Sequence, residues 1–395
     1  MSVSDNVRES MSSSSWIRRM FEIGLELKKK VGVDNVFDLT LGNPTMEPPP
    51  EFDAELKRIV QNPVPGMHRY MENAGYPETR ASVAQQLSQD MGVNFSQNDI
   101  MMSTGAAAAL NCILKTILNR GEEVIIFAPF FAEYTHYVNN HNGCVKILPT
   151  DEQFIPDLNK LEAAITKQTK AVIINSPNNP SGAVYDEQTI HDISQILEKK
   201  ERQLGGELYL ISDEPYRKIV YDGTVVPSVF KYYRRTVIAN SYSKDLALPG
   251  ERIGYIAIHP ECPHHKDLMD GFVYCNRTLG FVNAPAIMQF VIRNVQGITV
   301  SIAEYQRKRD LLYSNLVDMG YFIVKPKGAF YIFPKSPTTN EFDFIEELQK
   351  HNVLVVPGTG FGTPGYFRAS YCMEDKTLQG SLNGFREVAK IFKLC

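Results

Sequence analysis

Paired cysteines, long apolar runs and an excess of charge are what this 395-residue sequence lacks. Its six cysteines contain no C-x-x-C pair, which fits neither a metal site nor a disulfide framework and indicates reduced thiols. No apolar run approaches the ~20 residues of a membrane helix, and the polar N-terminus lacks the apolar core of a secretory signal. A formal net charge of −4 gives no electrostatic reason to bind nucleic acid or a membrane surface. We therefore expect a soluble, cytoplasmic protein without nucleic-acid or membrane partners.

The length of the chain predicts more than one domain, because a single core rarely grows to this size. Residues 1–15 are polar and serine-rich, and we expect a mobile arm there. Residues 46–285 alternate helical and strand patterns, which predicts the large domain. Residues 16–45 and 286–395 are expected to form a smaller α+β domain, with one long helix over roughly 286–318.

Short apolar runs rich in β-branched residues, and bounded by Gly, Pro and Asn, are the strongest structural signal. They are EVIIFA (123–128), KAVIIN (170–175), ELYLIS (207–212), TVIAN (236–240) and IGYIAI (253–258). Such runs are typical of strands that are buried on both faces. Because helical patterns separate most of them, the sequence predicts an α/β fold with a mainly parallel central sheet.

Unusual polar segments follow these strands. They are APFF, NSPNNPSG, SDEPYRK and SYSKD, and STGAAAAL opens a helix earlier in the chain. Ligands of open α/β sheets bind at the carboxyl ends of the strands. We therefore expect these segments to build one site.

Lys244 lies at one such strand end, in the segment SYSKD. Most lysines are solvated surface charges. Here burial and the nearby cation Arg252 would lower the pKa of the amine, and a neutral amine is a nucleophile for carbonyls.

An anion site is predicted beside the lysine. Residues 104–107 (TGAA) offer a helix N-terminus of small residues, where backbone N–H groups can approach a phosphate. Ser241, Ser243 and Arg252 add donors. The alternative is an ordinary helix start, and the segment has neither the G-x-G-x-x-G nor the G-K-[ST] pattern of nucleotide sites.

Four further residues suit a flat, heterocyclic ligand. Asp213 could face a protonated ring nitrogen, Asn179 and Tyr216 could donate to a ring oxygen, and Phe131 could stack on the ring. The alternatives are a helix cap for Asp213, turn chemistry for Asn179 and an ordinary core position for Phe131. Together with an activated amine and a phosphate site, this set matches the needs of pyridoxal phosphate.

The motifs resemble those of the class I/II aminotransferases of the fold-type I pyridoxal-phosphate family, over roughly residues 35–372. The family pattern S-x-S-K…G-x-R-x-G is present at Ser241, Ser243, Lys244, Gly250, Arg252 and Gly254. The N-P-[ST]-G turn occupies residues 179–182, and the D-x-x-Y strand end is Asp213 and Tyr216. RYMENAGYPETR resembles a further family segment, with Thr79 in place of the usual leucine.

The resemblance implies a pyridoxal-phosphate-dependent aminotransferase that moves the amino group of an L-amino acid to a 2-oxo acid by a ping-pong mechanism. It implies that Lys244 forms the internal aldimine and then acts as the base, while Asp213 keeps the ring nitrogen protonated. The cofactor contacts it implies are Gly105, Ala106, Ala107, Phe131, Asn179, Asp213, Tyr216, Ser241, Ser243, Lys244 and Arg252.

Substrate contacts follow from the same resemblance. Arg368 in GYFRASYC would clamp the α-carboxylate, although a surface ion pair is the alternative. Gly42 and Asn179 would also face the substrate. Tyr70 would reach the phosphate held by a neighbouring subunit, which implies a homodimer with shared active sites.

Specificity and reaction type stay open at this level. Arg277 could reach into the site of the partner subunit and bind the distal carboxylate of a substrate there, or it could form an ion pair at the subunit interface. Trp16 and Ile17 could cover the pocket. Dicarboxylate and aromatic substrates are both compatible with the sequence. A C–S β-lyase or an ACC-synthase-like enzyme that acts on S-adenosylmethionine is the alternative chemistry, and a ligand-sensing domain without catalysis is the other class.

Overall fold

The fold is given by a computed structural model that describes residues 2–5, 7–8 and 16–394, without the side chains of residues 17, 18 and 21. The predicted arm, residues 1–15, falls mostly outside the described residues. None of the helices in the described part of the chain combines the length and the apolarity that crossing a bilayer requires.

Helices and strands alternate through most of the chain. The helices are α1 (Trp16–Val31), α2 (Pro50–Gln61), α3 (Pro77–Met91), α4 (Ala106–Ile117), α5 (Glu133–Asn140), α6 (Leu158–Ala164), α7 (Glu187–Leu204), α8 (His265–Thr278), α9 (Ala286–Ile292), α10 (Ile302–Asp318), α11 (Glu341–Lys350) and α12 (Asp375–Ile391). The strands are β1 (Phe37–Asp38), β2 (Ile100–Ser103), β3 (Glu123–Ala128), β4 (Cys144–Pro149), β5 (Thr169–Asn175), β6 (Tyr209–Asp213), β7 (Thr236–Ser241), β8 (Gly254–Ile258), β9 (Tyr331–Ile332), β10 (Val353–Leu354), β11 (Val356–Pro357) and β12 (Phe367–Ser370).

A seven-stranded sheet with the order β2-β8-β7-β6-β5-β3-β4 forms the centre of the molecule. Strand β8 is antiparallel to both of its neighbours, and the other pairs are parallel. The predicted α/β fold with a mainly parallel sheet is therefore confirmed, and the five predicted strands correspond to β3 and β5–β8. Sequence patterns missed β4, a largely exposed edge strand, and β2, whose short IMMS stretch has only one β-branched residue.

The sheet is covered on both faces, as the continuous apolar runs predict. In β5, Ala171 and Ile173 pack into one apolar cluster, whereas Val172 and Ile174 pack into another on the opposite face. Complete burial of each Val or Ile side chain contributes roughly 1.5–3 kcal/mol of transfer free energy. The sheet is thus a rigid platform, and its polar strand ends are held in fixed positions.

A third apolar cluster belongs to the smaller part of the molecule. It joins helices α10–α12 to the three-stranded sheet β11-β12-β9 and to the parallel pair β1-β10. Here the chain from residue 302 to residue 394 packs with the segment near Leu39. The smaller sheet positions Arg368, because β12 carries this residue.

The single long helix expected over 286–318 is wrong, because α9 ends at Ile292 and α10 begins at Ile302. Gly297 between them has a φ of 79°, which a helix cannot continue through. Ser301 then caps α10 by accepting a hydrogen bond from the N–H of Glu304. The domain division itself stays a prediction, although residues 288–295 pack mainly with the sheet, which favours a boundary after residue 295.

Candidate active site

A cavity of about 340 Å³ lies at the carboxyl ends of the parallel strands, between the central sheet and the smaller sheet. It is lined by Gly42, Ala106, Ala107, Leu110, Phe131, Glu133, Tyr137, Asn175, Asn179, Asp213, Pro215, Tyr216, Ser241, Ser243, Lys244, Pro249, Arg252, Tyr331 and Arg368. The structure therefore brings together most of the predicted site residues, from segments that are far apart in sequence. The residues that follow the parallel strands come together because these strands end at the same edge of the sheet.

Lys244 projects into this cavity from the loop after β7. Its Nζ donates a hydrogen bond to the carbonyl oxygen of Gly42 at 2.7 Å and lies 5.4 Å from the centre of the Phe330 ring. Burial, together with the guanidinium groups of Arg368 and Arg252, lowers the pKa of the amine to about 8, although the nearby Cys372 opposes this shift. A substantial neutral fraction near physiological pH follows, and the neutral amine is the form that acts as nucleophile and base.

Asp213 is a buried carboxylate at the end of β6. Its Oδ2 accepts a hydrogen bond from the Tyr134 hydroxyl at 2.5 Å, whereas its Oδ1 has no hydrogen-bond partner among the described residues. Burial raises the pKa of Asp213 to about 7, and the bond from Tyr134 opposes this rise. A buried acceptor without a partner is costly, so a donor supplied by a ligand would fit there.

The raised pKa of Asp213 predicts that the cofactor-free protein loses stability as the pH rises. The folded carboxyl keeps its proton up to about pH 7, whereas the unfolded carboxyl releases it near its ordinary pKa of 3.8. The folded state thus binds more protons in this window, and the free energy of unfolding falls as pH rises through it. We expect Asp213→Asn to stabilise the cofactor-free protein at pH 8 by more than about 1 kcal/mol and to have little effect at pH 4.

Urea denaturation of wild type and Asp213→Asn at both pH values measures this difference. Asp267→Asn, which removes an exposed carboxylate from α8, is the control. An Asp213→Asn effect of equal size at pH 4 and pH 8 would contradict the assignment.

The predicted anion site lies at the N-terminus of α4. Gly105 precedes the helix with a φ of 86°, and a Cβ there would lie 2.9 Å from Nη2 of Arg252. Glycine therefore lets the guanidinium of Arg252 approach the helix start, where Nη2 donates to the carbonyl oxygen of Thr104. The buried Ser241 and Ser243 line the same part of the cavity. Backbone donors, hydroxyls and a cation are the groups that bind phosphate.

Arg368 projects from β12 and is 2% exposed. Nη1 donates to Oδ1 of Asn179 at 2.9 Å and Nη2 to the carbonyl oxygen of Thr40 at 2.5 Å, while Nε has no partner among the described residues. The guanidinium carbon lies 4.5 Å from the Tyr331 ring centre and 4.7 Å from that of Phe361. These contacts exclude the surface ion pair. A buried guanidinium without a carboxylate partner among the described residues is a site for an anionic ligand.

Aromatic rings fix the remaining geometry. The hydroxyls of Tyr216 and Tyr331 lie 3.1 Å apart, and Phe131 meets the ring of Tyr134 edge-on with centres 5.5 Å apart. A Cβ at Gly42 would lie 1.8 Å from the Tyr331 hydroxyl oxygen, so only glycine allows this approach. Burial raises the pKa of Tyr216 well above its ordinary value, and the hydroxyl therefore remains a donor.

Several residues in or beside the cavity were not predicted from the sequence. Tyr134 and Tyr331, together with Asn175, hold the predicted residues in place, since Asn175 Nδ2 bonds the carbonyl oxygen of Asp213. Glu133 and Tyr137 line the cavity from α5. The only available signal was the aromatic-rich segment FFAEYTHY, which is equally typical of a core helix.

Three predicted residues lie away from the cavity. Tyr70 is 93% exposed, and Arg277 is exposed on α8 beside the ring of Tyr274. Both were expected to serve the neighbouring subunit, and these roles stay predictions. Trp16 does not cover the pocket, because its ring packs on Phe342 with centres 4.7 Å apart. The Ile17 side chain lies outside the described residues.

Comparison with known proteins gives this geometry a family. The family model "Aminotransferase class I and II" matches residues 34–384. The chain belongs to this family. The aminotransferases of this family use pyridoxal phosphate to exchange amino groups between amino acids and 2-oxo acids, and the chain is a pyridoxal-phosphate-dependent aminotransferase.

Individual relatives agree with the family. A probable aspartate aminotransferase of Methanocaldococcus jannaschii is 32% identical over 366 residues, covering 91% of this chain and 94% of its own. Aromatic-amino-acid aminotransferase 2 of Thermococcus litoralis is 32% identical, with both chains covered completely. The crystal structure of an aminotransferase from Eubacterium rectale superposes with a TM-score of 0.95 at 39% identity, with 99% of both chains covered. The predicted fold-type I architecture is thereby confirmed.

The residues of the cavity fit pyridoxal phosphate. The unpartnered Oδ1 of Asp213 suits a protonated ring nitrogen, and the amine of Lys244 suits an aldehyde. The start of α4, with Ser241, Ser243 and Arg252, suits the phosphate. Nowhere in the described residues do three His, Cys, Asp or Glu side chains gather as a metal site would require.

Proposed function

We propose that this aminotransferase uses Lys244 as its proton carrier and Arg368 as its α-carboxylate clamp while it moves the amino group of an L-amino acid to a 2-oxo acid. The observation that supports this most strongly is that both groups face one cavity. One is an amine whose pKa is about 8, and the other is a buried guanidinium with an unpartnered Nε. A base and an anion clamp are what proton abstraction from Cα of an amino acid requires.

The proposed cofactor contacts follow from the positions around the cavity. Pyridoxal phosphate, when bound, supplies a carbonyl carbon that receives the amino group and a ring that withdraws electrons from the substrate. Ser241, Ser243, Arg252 and the N–H groups at the start of α4 would hold the phosphate. Asp213 would accept a hydrogen bond from the ring nitrogen, and its negative charge would keep that nitrogen protonated.

Lys244 would act as the base. Its Nζ would take the proton from Cα of the substrate and carry it to the carbon that receives the amino group. The depressed pKa matters here, because an amine with an ordinary pKa would be almost fully protonated at neutral pH. The hydrogen bond from Nζ to the carbonyl oxygen of Gly42 sets the starting position of the amine.

The substrate would be oriented by Arg368 and Asn179. Arg368 binds the α-carboxylate, and the rings of Tyr331 and Phe361 hold the guanidinium plane. Asn179 has Oδ1 engaged by Arg368, which leaves its Nδ2 to donate to the ligand. Tyr216, which contacts Tyr331, would supply the second donor to the ring oxygen.

We also propose a homodimer with shared active sites. Tyr70 lies in a shallow depression with Arg69, Met71 and Phe281, and a tyrosine that is 93% exposed buries little of its ring against its own subunit. A partner that covers this region would bury the ring and bring its hydroxyl to a second cavity. Isologous dimers use the same patch on both subunits, so two sites would be completed at once.

The test of the proposed function is visible absorbance of the purified holoprotein during addition of single amino acids without a 2-oxo acid. We expect bleaching of the yellow form to a near-ultraviolet band with donor amino acids, and recovery when a 2-oxo acid is added. Persistent yellow colour with release of pyruvate and ammonia, or of methylthioadenosine, would indicate the lyase or the synthase instead. Failure to respond to any amino acid would contradict amino transfer.

A further inference from the structure

The charges around the cavity leave one group without a role. Within the described part of the chain, the charged side chains that line it are Glu133, Asp213, Lys244, Arg252 and Arg368. The proposed function assigns the last four to the ring nitrogen, the proton transfer, the phosphate and the α-carboxylate. Glu133 remains, and its charge is negative.

Glu133 occupies a defined wall of the cavity. It is the first residue of α5, two residues after Phe131 and one helical turn before Tyr137, and all three line the cavity. Helix α5 packs on α4, whose Ala107 and Leu110 line the cavity as well. The wall is therefore formed by these two helices, whereas Arg368 comes from the smaller sheet.

The carboxylate of Glu133 makes no hydrogen bond or ion pair with any described residue, although its side chain is only partly exposed. Its neighbour Tyr137 also makes no side-chain hydrogen bond within the described residues. Burial and the charge of Glu133 raise the pKa of Tyr137, which keeps that hydroxyl neutral. The wall thus offers an acceptor with a full negative charge, and beside it a neutral hydroxyl.

The position of Glu133 in the first turn of α5 has a simpler explanation, since helix N-termini favour negative charge. A glutamate on the solvent face of the same turn would satisfy the helix equally well. The helix end therefore explains a negative charge in this turn, but it does not explain a carboxylate that faces the cavity.

We propose that Glu133 selects the substrate side chain, by excluding a second carboxylate and favouring neutral side chains that can donate a hydrogen bond. This inference rests on the proposed function. A dicarboxylic amino acid would bring a negative charge towards a wall that already carries one, and like charges in a partly desolvated cavity repel strongly. Among the described residues that line the cavity no free cation compensates, because Arg252 and Arg368 have anionic groups of their own to bind, Lys244 serves the proton transfer and Ala107 is uncharged.

The experiment compares wild type with Glu133→Gln as holoenzymes, and measures kcat/KM for the matched pairs glutamate and glutamine, and aspartate and asparagine. We expect wild type to prefer the amides, and Glu133→Gln to raise the acid-to-amide ratio of kcat/KM about tenfold, which corresponds to ~1.4 kcal/mol. Glutamine at position 133 keeps the shape and the acceptor oxygen of glutamate. The effect therefore isolates the charge.

Glu51→Gln is the matched control, because Glu51 is also in the first turn of a helix but lies exposed on α2. It should leave the acid-to-amide ratio unchanged. Glu133→Ala provides a second loss of the charge, and circular dichroism with cofactor absorbance checks that both variants are folded and loaded.

Two results would overturn the proposal while leaving the proposed function intact. One is amino transfer with an acid-to-amide ratio that does not change in Glu133→Gln and Glu133→Ala. The other is a wild-type preference for dicarboxylates that is lost in Arg277→Gln, which would assign specificity to Arg277 of the partner subunit. Absence of amino transfer with every amino acid would overturn the proposed function, and this inference with it.

Discussion

Lys244→Ala should lose amino transfer almost completely, with kcat lowered by at least ~10³-fold. Among the described residues that line the cavity, Lys244 is the only basic side chain whose pKa lies close to neutrality, and that pKa is about 8. Alanine can neither take the proton from Cα nor attack a carbonyl carbon. Steady-state rates with a donor amino acid and a 2-oxo acid measure the loss, and the visible spectrum reports the altered attachment of the cofactor.

Lys266→Ala is the control for removal of a lysine, since the Lys266 side chain is exposed on α8 and pairs with Asp270. Its rate should equal that of wild type. Native turnover in Lys244→Ala would show that another group carries the proton, and the proposed mechanism would fail.

Lys244→Ala, combined with a variant of Tyr70, also tests the proposed dimer. Tyr70→Ala should lower activity by weakening phosphate binding in the partner's site, while Lys244→Ala inactivates its own site. Mixed dimers would contain one site with neither substitution, so reassembling equal amounts should restore about a quarter of native activity. Restored activity no greater than the mean of the two separate variants would contradict shared active sites.

Arg368→Ala should raise KM by about 100-fold or more for every amino acid and every 2-oxo acid. A bidentate guanidinium–carboxylate pair contains two charge-assisted hydrogen bonds, each contributing roughly 1.5–3 kcal/mol. The substitution also leaves Oδ1 of Asn179 and the carbonyl oxygen of Thr40 without their donor. Because the α-carboxylate is common to all substrates, the loss should not depend on the side chain, and initial rates across several amino acids measure this.

Arg368→Lys separates charge from geometry. Lysine keeps the charge but cannot reproduce the planar fork between the rings of Tyr331 and Phe361, so we expect an intermediate KM. Unchanged KM in Arg368→Ala would remove this residue from the substrate site. A KM that rises only for dicarboxylic substrates would indicate that Arg368 binds the side-chain carboxylate of the substrate instead of the α-carboxylate.

The sequence predicted the parts of the site that depend on local pattern. Strands that are buried on both faces have continuous apolar sequences, so β3 and β5–β8 could be located. The polar residues after them could then be assigned to one edge of the sheet. Lys244, Asp213 and Asn179 were predicted in this way, and each lines the cavity. The spacing of the motif then indicated which cofactor binds, because Ser241, Ser243 and Arg252 lie close to Lys244 in sequence.

Patterns that depend on distant packing could not be predicted. The break between α9 and α10 was missed, since both segments have helical periodicity and the non-helical residues 293–301 between them, which include Gly297 with its positive φ, give no strong sequence signal. Trp16 was considered as a possible cover of the pocket, but its ring packs on Phe342 of α11, over three hundred residues away in sequence. A local pattern carries no information about such a contact.

The amino-acid sequence by itself thus determined the strands β3 and β5–β8, the polar residues that follow them and the candidate nucleophile Lys244, because these are encoded in short segments with their own periodicity and spacing. Only the tertiary structure decided what surrounds them. It placed Tyr134 on Asp213, Tyr331 beside Gly42 and Arg368, and Glu133 on the cavity wall. These contacts join segments that approach each other only when the two sheets and their helices pack. The pKa values of the site and the charge of its walls are therefore properties of the folded chain.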